Sequence, residues 1–255
     1  MSQAICCVPV SSLRSEPSHR SEIISQQVFG EQCRILEKGK DNWLRIKCDY
    51  DEYEGWCQEY HLLPLNASII PSGMLTGEWV NLITYKGQAM RVPYGSRLPG
   101  LVNGEALWAG SSVRYTGSLI DPSKQQFNED GIKVIAMPFL NTSYLWGGKS
   151  IFGIDCSGFC QTVFKFFNIP IMRDAYQQAV QGQSIGFLQE AKCGDLAFFD
   201  NADGRITHVG ILLNEGEIIH SSAKVRIDPI DNMGIINHEN GERTHKLRII
   251  KRYVQ

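Results

Sequence analysis

Residues 154–167 read Ile-Asp-Cys-Ser-Gly-Phe-Cys-Gln-Thr-Val-Phe-Lys-Phe-Phe, and they decide how the second half of the chain is interpreted. Asp155 is a good helix N-cap and Pro170 a helix stop, so the run predicts a single helix over 155–167. Its apolar residues recur at helical spacing over a wide stripe, which predicts a largely buried helix. Cys156 then lies in the first turn, where the positive end of the helix dipole favours a thiolate, so we expect its pKa to be lowered. Small Ser157 beside it leaves room for a substrate.

A cysteine nucleophile needs a general base within hydrogen-bond reach, and that base needs a partner that orients it. Of the six histidines, only His208 and His220 lie in apolar, strand-like runs, and they flank the turn Asn214-Glu215-Gly216. A two-residue loop would place the two imidazoles on opposite faces of the hairpin. A three-residue loop, with its glycine in the left-handed conformation, would pair residue 210 with residue 220 and bring both imidazoles to one face. The sequence permits a triad with Cys156 only in that second register.

These residues also have other interpretations. Each histidine is equally explained as a strand residue whose ring is hydrogen-bonded to a nearby carbonyl group. A zinc site formed by Cys156, His208 and His220 is a further alternative, but no fourth ligand is placed convincingly. The other seven cysteines show no Cys-x-x-Cys spacing and are expected to be free thiols. We therefore expect neither a metal nor a cofactor.

The composition excludes several classes of protein. The chain has 255 residues, 43% of them hydrophobic, and a formal net charge of −2, which is ordinary for a globular protein and gives no indication of nucleic acid binding. No apolar run approaches the roughly 18 residues needed to span a bilayer. The N-terminus lacks the basic region of a signal peptide, so the sequence as it stands predicts a cytoplasmic location; a periplasmic or secreted location is expected if a leader has been removed. We expect a monomer.

The first half of the chain consists of short apolar runs separated by frequent turn signals, which predicts small all-β units. Within residues 1–64, Leu13-Arg14, Gly30-Glu31, Trp43-Leu44 and Gly55-Trp56 follow one another in an order that resembles a bacterial SH3 domain. Residues 65–120 repeat the pattern with less clarity and predict a second, degenerate barrel. From about residue 121, helical segments precede a run of strands, which indicates an α+β layout ending in an antiparallel meander.

A set of motifs through the C-terminal half carries a family resemblance. They are, in order, Tyr144-Leu145-Trp146-Gly147-Gly148, Asp155-Cys156-Ser157-Gly158-Phe159, Arg173-Asp174, Gly194-Asp195-Leu196-Ala197-Phe198-Phe199, His208-Val209-Gly210-Ile211 and Ile219-His220-Ser221-Ser222. Together they resemble the NlpC-type cell-wall cysteine peptidases, a papain-like family. With SH3 modules ahead, the chain resembles their γ-D-glutamyl-L-diamino acid endopeptidase branch, also called dipeptidyl-peptidase VI. The expected fold is therefore multidomain, with two small all-β bacterial SH3-like barrels (1–64 and 65–120) followed by a papain-like α+β catalytic domain (121–255).

The resemblance implies both a reaction and a division of roles. Cys156 would attack the substrate, His208 would act as the base, and His220 would orient that base. The implied substrate is a peptidoglycan-derived peptide, L-Ala-γ-D-Glu-diamino acid, with a free N-terminal amine, and the bond cut is the one after D-glutamate. The implied substrate-binding residues are Glu22, Tyr53, Tyr144, Trp146, Asp155, Ser157, Asp174 and Ala175.

Within that set, Glu22 and Asp155 are the carboxylates expected to face the free ammonium, and Tyr53 is expected to help the first barrel close one end of the cleft. Ala175 departs from the family, which often has serine there. Plain structural roles, as a helix cap for Asp155 and a solvated charge for Glu22, stay open. Two other functions also remain as alternatives: a papain-like amidase or acyltransferase, and a non-catalytic cell-wall peptide-binding protein.

Overall fold

The computed structural model describes residues 2–65 and 73–254, and its chain divides into two compact units. The first unit comprises Met1–Lys124 and Trp146–Phe152, and the second comprises Gln125–Leu145 and Gly153–Gln255. Residues 66–72, at the start of the predicted second barrel, lie outside the described residues. In the described ranges, none of the helices combines the length and the apolar character that a bilayer crossing requires.

The first unit begins with seven strands that form one antiparallel sheet, in the order β3-β2-β6-β5-β4-β1-β7. The strands are β1 (Ser2–Cys6), β2 (Val10–Arg14), β3 (Ile23–Val28), β4 (Gln32–Lys38), β5 (Trp43–Cys48), β6 (Glu54–Gln58) and β7 (Leu62–Leu65). The prediction that the N-terminal part is built from β-strands is confirmed.

Further strands of the first unit form a four-stranded sheet, β10-β9-β12-β11, and a separate pair, β13-β8. They are β8 (Leu75–Thr76), β9 (Val80–Tyr85), β10 (Gln88–Pro93), β11 (Glu105–Trp108), β12 (Ser111–Arg114) and β13 (Leu119–Ile120), and the short strand β14 (Lys149–Ser150) follows later in the chain. Strand β11 was not predicted, because its exposed, polar-flanked sequence gives little alternation.

Strand β1 serves two hydrophobic cores. Successive side chains of a strand point to opposite faces, so Ala4 and Cys6 pack into a core within the first sheet, whereas Ile5 packs with Phe29 and Trp108 in a second core. All these side chains are buried. The strand therefore links the packing of the two sheets of the first unit.

The second unit contains three helices, α1 (Glu129–Ala136), α2 (Cys156–Lys165) and α3 (Ala175–Gln178). Its strands are β15 (Gly153–Ile154), β16 (Gln183–Ile185), β17 (Leu196–Asp200), β18 (Ile206–Leu212), β19 (Glu217–Ser222), β20 (Lys224–Asp231), β21 (Gly234–Ile236) and β22 (Arg243–Arg252). The larger sheet has the order β16-β22-β17-β18-β19-β20-β21, and β22 also pairs with β21. The predicted antiparallel meander is confirmed. Because β22 pairs with both β17 and β21, the six strands from β17 to β22 form a closed ring.

Helix α2 confirms the helix predicted from residues 155–167. Asp155 is the N-cap, with extended backbone and a side chain that accepts a hydrogen bond from the Gly158 N–H, and the helix ends at Lys165. Every residue of α2 is buried, and the helix packs against β18 and β19. This packing brings the first turn of α2 to the strands that carry the two histidines.

The β18–β19 hairpin has the register that permits the predicted triad. Gly210 pairs with His220, and the N–H of Leu213 donates to the Glu217 carbonyl at 2.9 Å. The expectation of a left-handed glycine in the loop is wrong, because Gly216 has no positive φ. The Asn214 side chain shapes the turn instead: its Oδ1 accepts from the Gly216 N–H at 2.8 Å.

Gly210 is required by the close approach of the neighbouring strand. A Cβ at this position would lie 2.7 Å from the Cβ of His220 and 2.7 Å from the Cδ1 of Ile218. We expect Gly210→Ala to lower the free energy of unfolding by about 1–3 kcal/mol, as overpacking does. The matched control is Gly216→Ala in the same hairpin, whose Cβ would meet nothing closer than 3.5 Å. Urea unfolding of both variants measures the difference, and equal losses would contradict the packing argument.

Candidate active site

Two buried imidazoles form the centre of the candidate site. His208 on β18 and His220 on β19 lie with Nε2 of the first and Nδ1 of the second 2.8 Å apart, and their rings are nearly perpendicular, at 83°. Both side chains are buried. Since one nitrogen must donate and the other accept, this contact couples the two imidazoles.

The imidazole pair continues to a carboxylate that the sequence reasoning missed. Nε2 of His220 lies 2.9 Å from Oδ2 of Asp228, which is buried on β20. A signal was present in the sequence: the tight β19–β20 hairpin pairs Ile218 with Asp228, one diagonal step from His220 on the same face. Predicting the contact of Asp228 with His220 would have required the register of the β19–β20 hairpin in addition to that of β18–β19.

Cys156 begins α2 and is only 7% exposed. Burial and then the neighbouring Asp155 carboxylate raise the pKa of its thiol, against the opposing hydrogen bond from the Val209 N–H, to about 12. The expectation of a lowered pKa is therefore wrong, because desolvation outweighs the helix dipole. The thiol is neutral at rest and needs a base. Its contact with Val209 places it beside the strand residue that follows His208.

Asp155 and Ser157 are held by a buried arginine. Asp155 Oδ2 accepts from Arg173 Nη2 at 2.6 Å and Oδ1 accepts from Nη1 at 3.1 Å, while Nη1 also donates to Ser157 Oγ at 2.9 Å. Arg173 is 1% exposed. Arg173 was noted as part of a motif, but its partners were not predicted, because they lie 16 and 18 residues away in sequence. The N-cap of α2 is thus also one half of a buried ion pair.

Removing one member of the Arg173–Asp155 ion pair tests how much the pair contributes to the stability of the fold. Arg173→Ala leaves the Asp155 carboxylate buried without its cation, and we expect a loss of about 3–5 kcal/mol in the free energy of unfolding. The matched control is Arg243→Ala, which breaks another two-pronged Arg–Asp pair, with Asp231, in which both side chains are 40% or more exposed. Such a surface pair contributes about 1 kcal/mol or less. Urea unfolding measures both, and similar losses would contradict the account.

Tyr144 lies at the same cleft. It lines a cleft of about 280 Å³ together with Thr207, His208, Ser221, Ser222, Ala223 and His245, which lie on three strands except for Ala223 in the turn after β19. Burial raises the pKa of its phenol, and so do the neighbouring Asp155 carboxylate and the Cys156 thiolate that is present when the phenol ionises. Within the second unit, Tyr144 therefore lies near both His208 and Cys156.

His245 on β22 is a third histidine of this cluster, and it was not predicted. Its ring stacks on that of His208, with centroids 4.0 Å apart and planes at 26°. Burial and then the nearby His220 lower the pKa of His245 to about 4, while Asp228 opposes the shift. The polar run around His245 gave no reason to place it here, because its position depends on β22 returning across the sheet.

The lowered pKa of His245 predicts how the stability of the fold depends on pH. The folded-state pKa of His245 lies below the ordinary value of about 6.5, so below pH 6.5 the unfolded chain takes up protons that the folded chain excludes. Stability is therefore lost as the pH falls from about 6.5 to about 4. His245→Gln should reduce this loss, because glutamine does not titrate. The control is His238→Gln, which makes the same substitution at an exposed position.

The measurement is the free energy of unfolding in urea at pH 7.5 and at pH 5. A wild-type loss that His245→Gln leaves unaltered would assign the acid sensitivity to other groups. The pKa values of His208 and His220 are also lowered by burial, so part of the loss should remain in the variant.

Two of the predicted substrate residues contact each other within the first unit. The Trp146 Nε1–H donates to Glu22 Oε1 at 2.6 Å, although the residues are 124 positions apart in sequence. Both side chains are exposed. Tyr53, half-buried, precedes β6, and its N–H donates to Asp51 Oδ1 at 3.1 Å.

The segment Trp146–Phe152 is held to the first unit by a buried lysine as well. Lys149 Nζ lies 3.9 Å from Glu31 Oε2 and 3.9 Å from Asp51 Oδ2, and the Lys149 N–H donates to Gln26 Oε1 at 2.9 Å. A buried ammonium is stable only when it is paired, and here two carboxylates share that role. This anchor was not predicted, because the residues that form it are far apart in sequence.

The last two predicted residues begin α3. Asp174 is the N-cap of this short helix and forms a capping box with Gln177, and Ala175 is its buried first residue. As for the zinc alternative, no group of three or more His, Cys, Asp or Glu residues among 2–65 and 73–254 is placed to hold a metal ion. All eight cysteines lie in these ranges and are free thiols.

A cysteine at a helix start, beside a strand whose histidine is held by a second polar residue, defines the class of cysteine hydrolases with a thiol–imidazole pair. Comparison with family models agrees. The model described as the NlpC/P60 family matches residues 141–244, and the model described as the bacterial dipeptidyl-peptidase Sh3 domain matches residues 13–62.

Individual relatives extend this agreement over most of the chain. The γ-D-glutamyl-L-lysine dipeptidyl-peptidase of Bacillus subtilis is 42% identical over 218 residues, which cover 78% of this chain and 72% of that protein. Dipeptidyl-peptidase 6 of Lysinibacillus sphaericus is 26% identical over 264 residues, covering 89% and 92%. A solved NlpC/P60 family protein from Bacillus cereus has a TM-score of 0.80 at 20% identity, covering 99% of this chain and 100% of that one, which shows a shared fold.

The chain belongs to the NlpC/P60 family of cysteine peptidases, in the branch that carries a bacterial SH3 domain ahead of the catalytic domain. The resemblance read from the motifs of the C-terminal half is confirmed, and so is the prediction of an enzyme rather than a binding protein.

Proposed function

We propose that this enzyme hydrolyses the bond between γ-D-glutamate and the L-diamino acid in peptidoglycan peptides whose N-terminal L-alanine is free. The observation that carries the proposal is the 42% identity, over most of both chains, to a γ-D-glutamyl-L-lysine dipeptidyl-peptidase. The coupled His208–His220 pair beside the start of α2 supports a thiol mechanism for that reaction.

In the proposed mechanism, the Cys156 sulfur attacks the γ-carbonyl carbon of D-glutamate as its proton passes to Nδ1 of His208. The N–H of Cys156 itself, at the first position of α2, is proposed to donate to the oxyanion; the N–H groups of Gly158 and Phe159 already donate to Asp155. His208 then gives the proton to the leaving amine. Water, deprotonated by His208, hydrolyses the thioester and releases the dipeptide.

The substrate-binding roles are proposals that rest on the motifs. Glu22 and Tyr53 are assigned to the free amine end of the peptide, and Tyr144 and Trp146 to walls of the binding site. Asp155 is assigned to the same ammonium as an alternative to Glu22, and Ser157, Asp174 and Ala175 are assigned as further substrate contacts. The contacts qualify two of these assignments: Asp155 already balances the charge of Arg173, whereas Glu22 has one oxygen bonded to an indole N–H and is exposed. Glu22 is therefore the better partner for an ammonium.

Two finer points of architecture belong to the same proposal. We propose that the sheet of β9–β12 is a degenerate SH3-like barrel and that the second unit is a papain-like α+β domain. The domain limits at 64 and 120, the monomeric state and the cytoplasmic location stay predictions from the sequence.

The experiment compares kcat/KM for L-Ala-γ-D-Glu-L-Lys and for its N-acetyl form. Acetylation removes the ammonium and leaves its protein carboxylate unpaired, so we expect a loss of about 2–5 kcal/mol, roughly 30-fold or more in kcat/KM. Cys156→Ala should lower hydrolysis of the free peptide by about 10³-fold or more, whereas Cys160→Ala, one turn further along α2, should keep most of it.

Mass spectrometry of the products identifies the bond that is cut, and the diaminopimelate tripeptide tested in parallel shows which diamino acid is preferred. Equal rates on the free and acetylated peptides would contradict selection of the free amine. Substantial turnover by a folded Cys156→Ala variant would contradict the assigned nucleophile.

A further inference from the structure

His220 has a second buried neighbour besides the base that it contacts. Its Nε2 lies 2.9 Å from Oδ2 of Asp228, and the two residues are only 1% and 2% exposed. Carboxylates are almost never this deeply buried unless they are paired. The position of Asp228 therefore needs a physical reason beyond the geometry of β20.

The surroundings of Asp228 keep it ionised. Its Oδ1 accepts from the His238 N–H at 2.9 Å and from Arg226 Nη2 at 2.9 Å, and Arg226 Nε lies 2.7 Å from Oδ2. Burial by itself would raise the pKa of this carboxyl, but the bonds from His220, Arg226 and His238 outweigh it and hold the pKa well below its usual range. An ionised carboxylate has no proton to give and can only accept hydrogen bonds.

This fixes the tautomers along the whole chain of contacts. Because Asp228 only accepts, the proton of neutral His220 must be on Nε2, which leaves Nδ1 as an acceptor. His208 must then donate from its Nε2 across the 2.8 Å contact, so the lone pair of neutral His208 is on Nδ1. That is the nitrogen a general base needs to take a proton from a thiol.

We propose that Asp228 is a positioning residue for the thiol–imidazole pair, acting through His220 to hold His208 in the proton-accepting tautomer and to stabilise the imidazolium that forms. In the step it assists, the proton of Cys156 moves to Nδ1 of His208, giving a thiolate and an imidazolium, and Asp228 stays unprotonated. The inference rests on the proposed roles of Cys156 and His208 but not on the identity of the substrate.

The test is Asp228→Asn, a variant of the same size that lacks the charge. If the asparagine amide donates to His220, it reverses both tautomers and leaves His208 with its proton facing the thiol. The readout is the rate of iodoacetamide alkylation of Cys156 against pH, followed by peptide mass spectrometry. We expect the midpoint of the rise in rate to move up by about one pH unit or more, which makes alkylation at pH 7 roughly tenfold slower. Because this assay uses no substrate, it is independent of the peptide specificity.

Peptidase kinetics give the second readout. By analogy with loss of the orienting carboxylate in a serine-protease triad, kcat should fall by about 10²–10⁴-fold with little change in KM. The matched control is Asp231→Asn on the same strand, where the carboxylate pairs with Arg243 at the surface, and both readouts should match wild type. In a His220→Gln background, Asp228→Asn should have a much smaller effect, because its route to His208 is gone.

An unchanged pH profile in folded Asp228→Asn, or an undiminished effect in the His220→Gln background, would overturn the proposal. If Asp228→Asn does not fold, nitrogen NMR of the wild-type histidines decides the question without a variant. The expected result is a proton on Nε2 of His220 and none on its Nδ1; the reverse tautomer would overturn the proposal.

Discussion

A thiol buried beside a carboxylate can act as a nucleophile near neutral pH only if a base removes its proton. Cys156 is in this position, because burial and the adjacent Asp155 both raise its pKa. His208, the proposed base, lies on β18, the strand against which α2 packs. His208 is oriented on that strand by the register of the β18–β19 hairpin and by its contact with His220. Both features therefore affect whether the Cys156 sulfur can react.

The relative placement of Cys156 and His208 depends on several small features of the second unit. Gly210 has no side chain, so His220 can lie directly across from it, and the three-residue loop sets this pairing. His245 stacks on the open face of the His208 ring, which limits its rotation. At the other end, Arg173 holds Asp155 and with it the first turn of α2. The first turn of α2, which carries Cys156, and the imidazole of His208 are thus each fixed by their own buried contacts.

The segment Trp146–Phe152 has a different kind of role. It belongs to the first unit, where Lys149 lies between Glu31 and Asp51 and Trp146 donates to Glu22. In sequence it follows Tyr144 closely and ends four residues before Cys156. Within the first unit, this segment is therefore anchored by the ion pairs of Lys149.

Local patterns predicted a large part of this architecture. Helix α2 was predicted from its N-cap residue, its apolar stripe and the proline that follows it. The β18–β19 hairpin was predicted from the spacing of its residues. These are short-range features, and the structure contains both elements. Asp228, His245 and the partners of Arg173 were missed because they depend on tertiary contacts: a second hairpin, the return of β22, and an ion pair across 18 residues. The pKa of Cys156 was misjudged for the same reason, since the helix dipole is local and desolvation is set by the whole fold.

The central claim is that Cys156 reacts only because His208 takes its proton, and it is tested most directly by measuring the alkylation rate of each of the eight cysteines at pH 7. The account predicts that Cys156 is alkylated fastest in the wild type. In His208→Ala it should slow to the level of buried Cys160, while the other seven rates stay the same. A Cys156 that reacts equally fast in both proteins, or no faster than Cys160 in the wild type, would contradict the account.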